Sequence, residues 1–169
     1  ILYIIYLGLS LIEFIVLIAA KMPVFDAMNT TFGTAGTGGF GIKNSSLGGY
    51  SVTIQWIVTI FMMLFGVNFN AYYIMIFGSI KKALSMEEVR AYFGIILTAI
   101  VIITINIYSM CSGVWDAVTK SAFQVGSIIT TTGFATTDFN IWPQTSKTIL
   151  VLLMLSLIHI SEPTRLGMI

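Results

Sequence analysis

Apolar stretches of bilayer length decide what this chain can fold into. Residues 1–20, 54–80 and 92–108 meet or approach the ~20 apolar residues a helix needs to cross a membrane, and a fourth stretch begins near Thr148. Between the first two lie residues 21–53, too apolar for a flexible loop and too rich in Gly and Thr for a spanning helix. The same alternation returns in residues 111–147, where the amphipathic piece WDAVTKSAFQVGSII precedes TTTGFATTDFN. The link 81–91 is short, charged and ordinary. An all-α membrane protein follows, and composition agrees: 57% of the chain is hydrophobic and 9% charged, against about 25% charged in a soluble domain. A net charge of +1 provides no basic face for nucleic acid. One cysteine, Cys111, excludes a disulfide framework or a thiolate metal site, and one histidine, His159, leaves little for zinc, haem or Ser-His-Asp chemistry. Glu13, Asp26, Asp116 and Asp138 form no sequence-close carboxylate pair, so the expectation is a protein that is not an enzyme and needs no cofactor.

The order span, half-buried polar piece, span occurs twice, which calls for a search for internal repeats. A gapless offset of 94 lays TGGFG at 37–41 on TTGFA at 131–135, matching Thr37 with Thr131, Gly39 with Gly133 and Phe40 with Phe134. Each T-x-G-F follows a stretch able to form a short helix (26–35 and 116–128) and precedes a span. Irregular backbone at membrane depth is tolerated only where it is buried in protein or lines a water-filled path. A helix that enters halfway and returns through an extended T-x-G-F strand fits that rule, and its carbonyl oxygens are suited to replace the hydration shell of a cation. Turning consecutive carbonyls to one side requires positive φ, which glycine adopts without steric cost, so Gly39 and Gly133 are the mechanistic positions. The half-helix would aim its negative C-terminal end at the ion.

The strings FGTAGTGGFG and SIITTTGFATTDFNIWP, with GVNFN in the second span, resemble the second and third pore repeats of the TrkH/KtrB family of potassium transport subunits. The resemblance covers roughly residues 1–154. It implies four M1-P-M2 units in one chain with re-entrant half-helices and extended filter strands, of which two are present and the first and fourth are missing. One pore repeat would occupy 1–80, with its filter at 37–41, and a second 92–154, with its filter at 131–135, joined by a cytoplasmic loop at 81–91. The implied ligands of a potassium ion are backbone carbonyls of Thr37, Gly38, Gly39 and Phe40 and of Thr131, Thr132, Gly133 and Phe134. Also implied are a multi-pass position in the bacterial inner membrane and a homodimer associated with a cytosolic nucleotide-binding regulatory subunit. A different class of reading is a sodium- or proton-coupled cation transporter with broken helices at the midplane.

Other residues carry narrower expectations. Glu13 is an ionisable group inside a span and so a functional candidate, and Asn68 and Asn70 could line a cavity below the filter or hydrogen-bond between helices. Asp26 and Asp116 are expected to N-cap the two short helices, while Asp138 is either a cation-concentrating group at the mouth or a turn residue. Trp56, Trp115 and Trp142 are expected at the membrane interface, and Phe61 on the outer surface of the second span. Residues 36–41 match G-x-G-x-x-G but lack the strand, helix and acidic residue of a dinucleotide site, and the sequons at Asn29 and Asn44 read as chance. Lys81, Lys82 and Arg90 crowd one short loop, assigning it to the cytoplasm. Residue 1 opens inside an apolar run and is expected to be a truncation point. The string LSLIHISEPTR matches the translation of a common transposase-type sequencing adapter, so 155–169 is expected to be read-through and carries no functional weight here.

Overall fold

The computed structural model describes residues 2–43, 45–67, 69–78 and 85–161. Among the described residues seven α-helices follow one another: α1 Leu2–Ala19, α2 Val24–Ala35, α3 Val52–Phe65, α4 Phe69–Phe77, α5 Glu87–Ile107, α6 Val114–Ile129 and α7 Gln144–Ser161. Short 3-10 turns sit at Tyr108–Met110 and Phe139–Ile141, and no β-strand occurs among the described residues. The two T-x-G-F segments are irregular backbone between helices. The helix Glu87–Met110 is the one described helix long and apolar enough to cross a membrane by itself, and Tyr3–Ala19, Val52–Phe65 and Gln144–Leu155 are shorter apolar helices.

The second span departs from expectation. Residues 54–80 are not one helix: α3 ends at Phe65 and α4 begins at Phe69. Gly66 sits at the break and must lack a side chain, since a Cβ there would collide with the Tyr92 hydroxyl and stand 2.7 Å from the Thr130 methyl. Carbonyls at a helix break cannot be satisfied by lipid; Leu64 O accepts from Val67 N at 3.1 Å, and two tyrosines supply further donors. Tyr92 Oη donates to Met63 O at 3.1 Å and Tyr72 Oη to Leu64 O at 2.7 Å. The link also shortens, since residues 87–91 form the start of α5. Lys81 and Lys82 lie outside the described residues, as does Asn68, and the Asn70 side chain is likewise not described. Helix α7 runs through Ser161, and residues 162–169 fall outside the described part.

Helix α6 is the centre of the packing. It lies against α3, α5 and α7, and every residue from Ser121 to Ile129 is buried. One apolar cluster joins Val67 and Tyr72 to the α5 ridge Tyr92, Ile96, Ala99, Ile103, Ile107, to Val125 and Ile129 of α6, and to Leu150 and Leu153 of α7. A second joins Leu17, Ala27, Leu47, Val58 and Met62 to Phe123 and Phe134. Helix α2, by contrast, buries one face against α1 and α3 and leaves Val24, Phe25, Met28 and Phe32 exposed. Two expectations about aromatic residues are corrected. Phe61 is buried with Ala35 and Phe65 instead of facing outward, because α2 ends against that face of α3. Trp142 is buried in the first cluster, whereas Trp115 is exposed and stacks on Trp56 at 5.8 Å.

Candidate functional site

Helices α2 and α6 end at Ala35 and Ile129, the two ends the repeat requires, and they end in the same way. The C-cap of α2, Gly36, has φ −85° and ψ 1°, and that of α6, Thr130, has φ −92° and ψ 1°. Thr37 N donates to Thr34 O at 3.3 Å and Gly38 N to Gly33 O at 2.8 Å. At the offset of 94, Thr131 N donates to Ile128 O at 3.0 Å and Thr132 N to Ser127 O at 2.9 Å. Together these are the two crossed hydrogen bonds of a Schellman helix end. The residue after such a cap adopts the left-handed conformation and is usually glycine. Here it is threonine: Thr37 has φ 51° and Thr131 φ 56°. A β-branched residue at positive φ is an outlier that the surroundings must enforce, and such strain gathers at functional sites. Sequence reasoning singled out the glycines and missed this feature of the threonines.

Two residues further on, Gly39 has φ 65° and Gly133 φ 86°. Both loops therefore reverse hand at alternate residues, Thr then Gly. The loops touch. A Cβ on Gly39 would overlap Thr132 O and stand 3.0 Å from Gly133 Cα, whereas a Cβ on Gly133 would meet nothing within 4 Å. Behind Gly133, the Thr132 hydroxyl donates to that of Thr130 at 2.7 Å, since the latter is committed to Gly126 O at 2.7 Å. Not every carbonyl is free for an ion. Phe134 O accepts from Ser127 Oγ at 2.6 Å, so the proposed ligand role is least supported at Phe134.

The phenylalanines of the two motifs have opposite surroundings. Phe134 is 1% exposed and its ring covers Gly33 of α2, where a Cβ would approach the ring at 2.8 Å. Phe40 is 82% exposed. Outside the loops, residues 45–48 pack across the second motif: Leu47 N donates to Ala135 O at 3.1 Å and Ala135 N to Ser46 Oγ at 3.3 Å. Nearby, Ser45, Ser46, Thr136, Thr137 and Asp138 line an open cleft of about 380 Å³. Asp138 itself accepts from Asn140 N at 2.9 Å, an ordinary turn contact.

The expected N-caps are corrected. Pro23 and Gly113 occupy the N-cap positions, and Asp26 and Asp116 stand three residues later, inside the first turn. Proline before the helix and the fully extended Gly113 leave no capping side chain, so the acids act on the positive helix end from within. Asp26 Oδ2 accepts from Tyr50 Oη at 2.6 Å, and the Lys43 ammonium lies 3.9 Å over the Tyr50 ring. Partial burial, then the Asp26 hydrogen bond and charge, push the Tyr50 hydroxyl up to about 12. Asp116 Oδ2 accepts from Lys120 Nζ at 2.7 Å and from Ser112 N at 3.3 Å. The Lys120 hydrogen bond holds the Asp116 carboxyl below the usual carboxylate range, with burial opposing it and the Ser112 amide assisting. No group of three or more His, Cys, Asp or Glu able to hold a metal occurs among the described residues.

No family model matches the sequence. The potassium uptake protein TrkH of Salmonella typhimurium (strain LT2) is 33% identical over 146 residues, covering 84% of this chain and 30% of that protein. TrkI of Halomonas elongata is 28% identical over 144 residues, covering 84% and 29%. The crystal structure of the potassium transporter TrkH from Vibrio parahaemolyticus superposes with a TM-score of 0.83 at 28% identity, covering 90% of this chain and 34% of that one. Over these residues the chain is similar to Trk system potassium uptake proteins. It spans about 30% of the length of the Trk relatives it matches in sequence.

Proposed function

We propose that this chain contributes two neighbouring units to a potassium-conducting pore in a bacterial inner membrane. The observation that carries the reading is the shared backbone of 36–39 and 130–133: the same Schellman end, the same left-handed threonine and the same left-handed glycine, on two helix ends whose loops touch. Each helix turns its negative end toward those loops, which favours a cation there, and backbone carbonyls in such loops serve as potassium ligands without side-chain chemistry. The names of the Trk relatives and of the Vibrio structure point to the same ion. Thr37, Gly38, Gly39, Thr131, Thr132 and Gly133 are the residues whose carbonyls we assign to the filter. The two units form one part of the wall, the remaining units being contributed by a full-length transporter of this family. A homodimer with a cytosolic nucleotide-binding subunit completes the proposed assembly.

The exposure of Phe40 supports this arrangement. Phe134 of the second unit seats on the short helix of the unit before it, so a matching Phe40 needs the short helix of a unit preceding the first. The reading is tested with Gly133→Ser in a full-length Trk transporter carrying this segment, expressed in cells without other potassium systems. Rubidium uptake in competition with sodium should lose discrimination while the protein still reaches the membrane. Wild-type discrimination would remove Gly133 from the filter.

A further inference from the structure

Glu13 lies midway along the apolar helix α1 with no exposed surface. The Thr34 side chain on α2 is close enough to interact with its carboxyl, yet neither carboxyl oxygen meets a donor in good geometry. Thr34 is itself fully buried, and its hydroxyl already donates to Thr30 O at 2.8 Å. What Thr34 retains is acceptor capacity, so this pair closes when the glutamate side supplies the proton. An ionisable group in such a place is expensive and calls for a function.

Packing alone does not ask for it. At the offset of 94, Thr34 corresponds to Ile128, which sits in an apolar cluster, and α5 carries its charged residues only at its start, Glu87, Glu88 and Arg90. The two units differ in how the last helical turn is braced. In α6, Ser127 Oγ ties the turn to Phe134 O beyond the loop. The counterpart of Ser127 in α2 is Gly33, which has no side chain and lies under the Phe134 ring. Yet Gly33 O and Thr34 O hold the amides of Gly36, Thr37 and Gly38 at the entry to the first loop.

We propose that Glu13 is a positioning residue: docked on Thr34, it braces from α1 the turn that carries Thr37–Gly39, as Ser127 braces the equivalent turn from within α6. This rests on the reading of 37–41 as part of the ion path. The test uses a full-length Trk transporter carrying this segment, with rubidium uptake against sodium as the readout and membrane abundance measured in parallel. Glu13→Gln keeps a neutral donor and should retain wild-type discrimination. Glu13→Leu and Thr34→Val should each lower discrimination about fivefold, the scale of one lost hydrogen bond, at unchanged abundance. Wild-type discrimination in Glu13→Leu, or a loss in Glu13→Gln as large as in Glu13→Leu, overturns the proposal. Should Glu13→Leu fail to accumulate, Thr34→Val decides it by the same criterion. Gly133→Ser separates the two failures. If it loses discrimination and Glu13→Leu does not, the brace alone is wrong, whereas if it keeps discrimination the pore reading falls and the brace with it.

Discussion

Gly39 and Gly133 share a backbone hand but not a neighbourhood, and that difference sets two distinct outcomes for one substitution. Alanine at Gly133 meets open space, so its cost is the left-handed conformation alone, about 1–2 kcal/mol. Alanine at Gly39 bears the same strain and in addition drives its methyl into Thr132 O and the Gly133 backbone. Gly39→Ala should therefore lower the melting temperature in detergent clearly more than Gly133→Ala, and its effect on ion discrimination should exceed it as well. Equal shifts would mean that the two loops are not in contact. A second residue-scale prediction concerns Asp116. Because Lys120 depresses its folded pKa, the pair's contribution is complete above the unfolded value of about 4 and is lost as pH falls through the lowered value. The melting-temperature difference between Asp116→Asn and the parent chain should be present at neutral pH and vanish in strong acid. A difference that persists there would assign the effect to something other than the carboxylate.

At the scale of elements, the break between α3 and α4 rests on a few groups that can be removed singly. Tyr92→Phe leaves Met63 O without its donor in a buried helix end and should destabilise by about 1–3 kcal/mol. Gly66→Ala should reproduce the loss, since its Cβ would displace the same hydroxyl. Ile60→Leu, on an exposed face of α3, is the control expected to change little in thermal unfolding. Apolar run length predicts a single span over 54–80, and composition cannot distinguish a helix from a broken helix whose carbonyls are met by distant tyrosines. No local signal in the sequence gives Tyr72 or Tyr92 a role, because their partners lie 8 and 29 positions away. What periodicity and the T-x-G-F repeat did carry are the helix ends at Ala35 and Ile129, where a local signal, Gly- and Thr-rich chain after a short helix, sets the boundary. The left-handed threonines were hidden for the opposite reason: the local preference of Thr argues against positive φ, and the Schellman hydrogen bonds override it.

At the scale of the whole molecule, the two units are alike in backbone and unlike in burial, and the difference follows from position. Helix α6 has neighbours on several sides and is buried from Ser121 onward, while α2 has them on one side only and leaves Phe25, Met28 and Phe32 bare. The same rule separates Phe134, which closes over Gly33 of the preceding unit, from Phe40, which closes over nothing among the described residues. If the units repeat around one axis, the missing seat for Phe40 is the short helix of a unit before the first. This yields a prediction that tests the arrangement without measuring ion flow. In a full-length Trk transporter carrying this segment, Phe134→Ala should destabilise by about 3–5 kcal/mol, the usual cost of emptying a buried phenylalanine site. Phe40→Ala should cost a comparable amount, although its ring is 82% exposed in this chain. Thermal unfolding of both variants in the same detergent compares them directly. A Phe40→Ala variant as stable as the parent, beside a destabilised Phe134→Ala, would show that no equivalent helix covers Phe40 and that the two units here are not consecutive members of a closed ring.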